Sequence, residues 1–339
     1  MARCHERAKD GSLTPCEFAR IQMTLKLQRL AIPPSKGKIS TMNRNVRILA
    51  MLFSLGAATC VAQSLSPQWQ ELTAPDFVKA IQKANGVCML PMGSIEKFGP
   101  SGPLGTNLYV DRILVLEAAK QEYAVVFPEY FVAGTNNVSN LPGTIAYSAR
   151  LQYDMLGETT REMARNGCKK ILIVNGHSGN NGLLSDFLSA EFDQPRDYVI
   201  YSMYGPGFKV PPGMPDAEKL PAATQPSKPG ADGHGGEERI SVVLAYRPDL
   251  VHLDRAHNES GSAGMHLNLP AGVQVGIDRK AELPTGYEGD ASGATVVRGK
   301  ALADYSVARI VQAIRAIKAD DVSPRLQKEL FEERMNPLK

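Results

Sequence analysis

Several things are scarce in this chain of 339 residues, and each scarcity excludes something. It has one Trp and five Cys, and three of those Cys fall before residue 63. Only Cys88 and Cys168 remain beyond it, beside apolar runs, so they read as buried free thiols rather than as a disulfide framework. No Gly-rich nucleotide fingerprint and no internal repeat occurs. No apolar run reaches the roughly 20 residues of a bilayer-spanning helix. Basic excess is missing where it would matter. Residues 1–62 carry ten Lys/Arg against three Asp/Glu, whereas 63–339 carry 28 against 32. A mildly acidic body excludes the concentrated basic face that a nucleic-acid partner requires.

What is present begins with a leader-like segment. From Met42 a short basic stretch precedes the apolar run Ile48–Ala62, which ends in small residues. This is the layout of a secretory signal peptide, with cleavage expected after Ala62 and the product exported to the periplasm or the medium. Residues 1–41 show no apolar periodicity and read as an extension upstream of a true start at Met42.

Beyond the leader, short apolar strands alternate with amphipathic helices. Strands are expected at Val87–Leu90 (closed by Pro91), Ala124–Phe127, Lys170–Val174 and Tyr198–Met203. Helices are expected at Asp111–Glu122, Leu151–Asn166, Asn181–Phe192, Glu237–Tyr246 and Thr295–Ala319. Unbroken apolar strands between helices imply one α/β domain over 63–339, a three-layer α/β/α sandwich around a mostly parallel sheet. Seven Pro between 205 and 230 interrupt the rhythm with a loop. In such sheets ligands bind beyond the carboxyl ends of the strands. Three segments should meet there: Gly93–Asn107, Asn175–Asn180 and Asp232–Glu238.

These segments hold the residues capable of chemistry. His177 and His234 sit in Gly-rich turns, and Glu96 lies in the first loop. His and Glu bind divalent metals, and His also moves protons near neutral pH. Tyr204, Phe208 and Tyr287 are aromatic candidates for a pocket wall, though packing explains each equally well.

Together the segments resemble the creatininase family of metal-dependent amidohydrolases. Gly93-Ser94-Ile95-Glu96-Lys97-Phe98-Gly99-Pro100-Ser101-Gly102-Pro103-Leu104-Gly105-Thr106-Asn107 is similar to that family's Gly-Ser-x-Glu-Gln/Lys-His-Gly-Pro-His-Leu-Pro-Leu-Gly-Thr-Asp. Pro142-Gly143-Thr144, Asn175-Gly176-His177-Ser178-Gly179-Asn180, Asp232-Gly233-His234-Gly235-Gly236 and Gly289-Asp290 follow in the family's order. The resemblance implies a homo-oligomer, usually a hexamer, that hydrolyses C–N bonds with one or two divalent ions.

Carried over position by position, Glu96 and His177 match metal ligands, and His234 matches a proton-transferring His. Phe98 stands at a ligand His, Ser101 at a second loop His and Asn107 at the bridging Asp. The last acidic position falls on Gly179 or Arg239. Two ligands fall short of the three usual in a catalytic zinc site, and Arg239 would repel a cation. The expectation is therefore a pseudoenzyme or small-molecule-binding protein in which Arg239 replaces the metal charge and pairs with Glu96. Phe98, Ser101, Asn107 and Arg239 would line its pocket. The alternative is a divergent amidohydrolase in which Glu96 and His234 act as acid and base. It would work without metal or with a single Zn, Mn or Fe on Glu96 and His177, helped by Asp111, Glu237 or Glu238. Asp111 also reads as an ordinary acid at a helix start.

Overall fold

The computed structural model describes residues 65–204 and 221–338. The expected leader, the upstream extension and the first part of the Pro-rich loop, with Phe208, lie outside the described residues.

The described chain runs α1 (Ala74–Lys83), β1 (Val87–Met92), α2 (Thr106–Gln121), β2 (Val125–Val126), α3 (Ala149–Arg165), β3 (Lys170–Asn175), α4 (Asn181–Ala190), β4 (Val199–Tyr204), α5 (Glu237–Tyr246), α6 (Asp278–Glu282), α7 (Val296–Ala319) and α8 (Val322–Arg334). The four strands form a parallel sheet in the order β2-β1-β3-β4. Strand residues alternate between two apolar layers, as a sheet covered on both faces demands. Val87, Met89, Leu172 and Val174 pack with α2, α5 and α7. Cys88, Leu90, Ile171 and Ile173 pack with residues of α1, α3 and α4. This is the expected three-layer α/β/α sandwich.

Three local expectations need correction. Cys88 and Cys168 are not free thiols: they form a disulfide with Cα atoms 5.6 Å apart. The bond ties the start of β1 to the turn before β3, so both Cys are buried because they bridge two elements of one layer. Pro91 does not close β1, which continues to Met92 and pairs with β3 throughout. Pairing with β2 ends at Met89, so at Pro91 the strand has a strand neighbour on one side only. Finally, α2 begins at Thr106, which places Asp111 inside the helix and fully buried, not at its start.

From the central strands the chain leaves in opposite directions, β1 toward β2 and β3 toward β4. The carboxyl ends of β1 and β3 thus frame the crevice where a doubly wound sheet binds ligands.

Candidate functional site

Beyond β1 the chain turns through the Gly93–Gly105 loop, and Glu96 points back over the strand ends. Hydrogen bonds from flanking motifs hold it in place. Glu96 N donates to Leu104 O (3.0 Å), Ile145 N to Ile95 O (3.0 Å) and Lys97 N to Thr144 Oγ1 (3.3 Å). The Pro142-Gly143-Thr144 motif therefore braces the residues on either side of Glu96. Gly99 has φ +66°, and its backbone lies so close to Gly235 that a Cβ on Gly235 would stand 2.8 Å from Gly99 N. Here glycine is required: it lets the Glu96 and His234 loops touch.

His177 follows β3, whose end is locked to β1 by Gly176 N donating to Met92 O at 3.0 Å. Its Nδ1 lies 2.9 Å from Glu96 Oε1, and its Nε2 donates to Gly134 O at 3.2 Å. Nδ1 thus faces both the Glu96 carboxylate and, at 3.4 Å, the Asn107 amide nitrogen, so the ring ties the Glu96 pocket to the Gly134 backbone. His234 sits between Gly233 and Gly235, donates Nε2–H to Lys97 O at 2.8 Å, and lies 4.0 Å from Glu96 Oε2. Its main chain is fixed by Glu288 N donating to His234 O at 2.8 Å, next to Gly289-Asp290.

Glu96 is almost wholly buried. Burial alone would raise its pKa. The His177 hydrogen bond and charge, the charge of His234 and the Ser94 hydroxyl outweigh it and bring the carboxyl down to about 2. Ser94 Oγ donates to Glu96 Oε1 at 2.7 Å, and Asn107 Nδ2 donates to the same oxygen and to Ser94 Oγ, both at 2.9 Å. Because a carboxylate only accepts, the Asn107 amide must turn its N–H₂ toward Glu96. Its Oδ1 is left buried with no hydrogen-bond partner among the described residues. Burial pushes the pKa of His234 below its ordinary value, against the pull of Glu96.

A cavity of about 190 Å³ opens over this cluster, walled by Phe98, Asn107, His177, His234, Glu238 and Arg239, with Arg279 at its edge. The Phe98 ring packs on His234, centroids 4.5 Å apart, and is backed by Ile240, Ala256 and Ala291. Ser101 does not reach the cavity. It is buried behind the loop, where its carbonyl accepts from His252 N at 2.9 Å. Tyr287 likewise belongs to the packing, with its hydroxyl accepting from Ala291 N at 2.9 Å.

Arg239 is not the partner of Glu96. The charges that lower Glu96 are those of His177 and His234, and the charge of Arg239 acts on Asp111 and Glu238. Asp111, one helical turn after Asn107 on α2, lies directly beneath Gly176, where a Cβ would collide with its carboxylate. Neither Asp111 oxygen has a hydrogen-bond partner among the described residues. Burial raises its pKa well above the ordinary value despite Arg239. Burial likewise raises Glu238, with Arg239 opposing. Glu237 serves the scaffold: with Asp232 it clamps Arg298 of α7, at 3.1 and 2.6 Å.

The contributions of Gly134 O and Lys97 O carry no sequence signal, because any residue supplies a carbonyl. Ser94 lay within the quoted motif, and its hydroxyl two residues before Glu96 was the available clue. Arg279 comes from a segment without any motif.

The comparisons with known proteins fit this arrangement. A sequence model of the family described as creatinine amidohydrolase matches residues 70–314. Creatinine amidohydrolase of Pseudomonas putida is 25% identical over 256 residues, 72% of this chain and 95% of that protein. The mycofactocin precursor peptide peptidase of Mycolicibacterium smegmatis is 27% identical over 220 residues, 62% of this chain and 77% of that protein. A crystal structure of creatinine amidohydrolase superposes with a TM-score of 0.61 at 21% identity, covering 76% of this chain and all of that one. At that identity it is the fold that is shared.

Proposed function

We infer that this chain, which belongs to the creatininase family, binds a small polar molecule over Glu96 without a metal ion at the family's position. The observation that carries this is the Asn107 amide, which lines the cavity, donates to Glu96 and leaves its Oδ1 buried with no hydrogen-bond partner among the described residues. A ligand N–H would satisfy that atom, and a carbonyl or carboxylate would suit Arg239 and Arg279 across the cavity. A volume of about 190 Å³ suits a compact molecule, since drug-sized ligands occupy roughly 300–1,000 Å³.

The donor set does not fit a divalent ion. Phe98 offers no donor, Asn107 presents N–H rather than oxygen to Glu96, and Arg239 adds a cation to the same cavity. Glu96, His177 and His234 do not bring three ligand atoms within 4.8 Å of one another.

The acid and base groups are also spent on the protein. Glu96 accepts from Ser94, Asn107 and His177, both His177 nitrogens face protein acceptors, and His234 Nε2–H is held by Lys97 O. That favours binding over turnover. The close His177–Glu96 contact favours a second reading, a metal-free amidohydrolase acting on a cyclic amide or formamide. Thermal-shift titration with creatinine, formamides, small cyclic amides and small carboxylates, with each compound also followed for hydrolysis, separates the two. Binding without turnover, weakened by Arg239→Ala, supports the first. Turnover abolished by Glu96→Ala establishes the second.

Export is part of the same proposal. The Cys88–Cys168 disulfide suits an oxidising compartment, in keeping with the leader-like 42–62. Among the described residues no helix is long and apolar enough to cross a membrane. A mature N-terminus at Gln63 in natively produced protein is the expected result, and one before Met42 would contradict it. Homo-oligomerisation is proposed from the resemblance alone, and light scattering on the purified protein tests it.

A further inference from the structure

Away from the cavity floor, His266 faces the short helix α6. His266 Nδ1 lies 2.8 Å from Glu282 Oε1 and 3.8 Å from Asp278 Oδ2, and one ligand atom from each of the three falls within 4.8 Å of the others. Asp278 and Glu282 are four residues apart, so they share one helix face.

How the three are held matters more than their proximity. Each carboxylate has one oxygen fixed by a separate donor and the other turned to His266. Leu267 N donates to Asp278 Oδ1 at 2.9 Å, and Arg279 Nη1 donates to Glu282 Oε2 at 3.2 Å. The main chain carrying His266 is laid along α6 by Gly264 N donating to Glu282 O (2.8 Å) and Met265 N donating to Ala281 O (3.1 Å). A side chain at 264 would collide with Ala281 O, so the close approach requires glycine there. Outer donors that orient ligating carboxylates are the ordinary construction of a metal site. Ligand atoms on a tetrahedral ion with bonds of about 2.1 Å stand about 3.4 Å apart, between the two separations seen.

We propose that His266, Asp278 and Glu282 form a site for a divalent transition-metal ion, independent of the family's metal position. An imidazole with two carboxylates suits Zn²⁺, and the nitrogen ligand disfavours Ca²⁺ and Mg²⁺. Because Arg279 both orients Glu282 and lines the cavity, an ion there would stiffen that wall.

The test is calorimetric titration of the metal-stripped full chain with Zn²⁺, repeated with Co²⁺ to read the visible absorption of a low-coordinate site. One equivalent should bind, His266→Ala and Glu282→Gln should each weaken binding at least tenfold, and His177→Ala should leave it unchanged. His266 is 79% exposed in its side chain, so its removal leaves the fold intact, and circular dichroism checks this. Absence of binding, or binding that His266→Ala does not weaken, overturns the proposal and marks the cluster as an ion pair only. Loss of binding in His177→Ala with retention in His266→Ala overturns it and the metal-free reading of the main site together.

Discussion

Asn107 Nδ2 donates to Glu96 Oε1 at 2.9 Å, with both residues buried. An acid at that position would set two carboxylates face to face, which is tolerable only with a cation between them. An amide turns the same contact into a bond. Asn107→Asp should therefore destabilise the metal-free protein, by about 1–3 kcal/mol, and raise the pKa of Glu96. Urea unfolding at neutral pH in the presence of a chelator measures the loss, and an unchanged midpoint would contradict the contact.

If side chains alone separate this site from a metal centre, restoring them should restore affinity. The combined change Phe98→His, Asn107→Asp and Arg239→Glu should bind Zn²⁺ in a His266→Ala background, where the parent does not. Failure of a folded triple variant to bind would show that Glu96 and His177 are not placed as ligands.

The contact of Glu96 with His177 has a pH signature, read on the carboxyl. The Glu96 carboxyl is depressed to about 2 from an ordinary 4.5. Its stabilisation is thus fully present above about 4.5 and is lost as pH falls toward 2. Glu96→Gln should flatten that part of the stability curve. A variant curve parallel to the parent between pH 5 and 2 would contradict the assignment.

Asp111 behaves in the opposite sense. Its folded pKa is raised by burial, so the protonated form is the stable one. Stability is retained below the unfolded value near 3.8 and declines as pH rises toward the folded value, by up to about 1.4 kcal/mol per pH unit. Asp111→Asn should gain on the parent as pH rises from 4 to 8, measured by thermal unfolding. A constant difference across that range would mean that Asp111 does not titrate in this way.

The Cys88–Cys168 bond closes a separation of 80 residues. Its reduction, or Cys88→Ala with Cys168→Ala, should cost about 2–5 kcal/mol. Comparing melting temperatures with and without reductant checks this, and no change would remove the disulfide from the account of the scaffold.

Much of the fold was legible because its strands are short apolar runs and several of its helices, α3 among them, carry one apolar face. Leu172 and Ile173 announce a sheet covered on both sides. Pro91 misled, because strand breaking assumes two neighbours and β1 has lost one by then. Helix α1 went unseen although Thr73 caps it, accepting from Asp76 N. In the candidate site, Glu96, His177 and His234 are singled out by type and spacing, and the fold brings them together. Their states were not legible, because they depend on partners distant in sequence: Gly134 O on His177, Lys97 O on His234 and Arg239 on Asp111. The expected Arg239–Glu96 pair failed for the same reason, since opposite charges on a loop and on the first turn of α5 need not face one another. The Cys pair could not be matched from sequence, because nothing in either apolar run shows that the two ends meet.

The most direct measurement is metal content at the main site. The His266→Ala protein, purified without chelator, should hold no stoichiometric Zn, Mn or Fe by elemental analysis and should take up none on dialysis against Zn²⁺. One equivalent held by that protein and lost on Glu96→Ala would contradict the metal-free site.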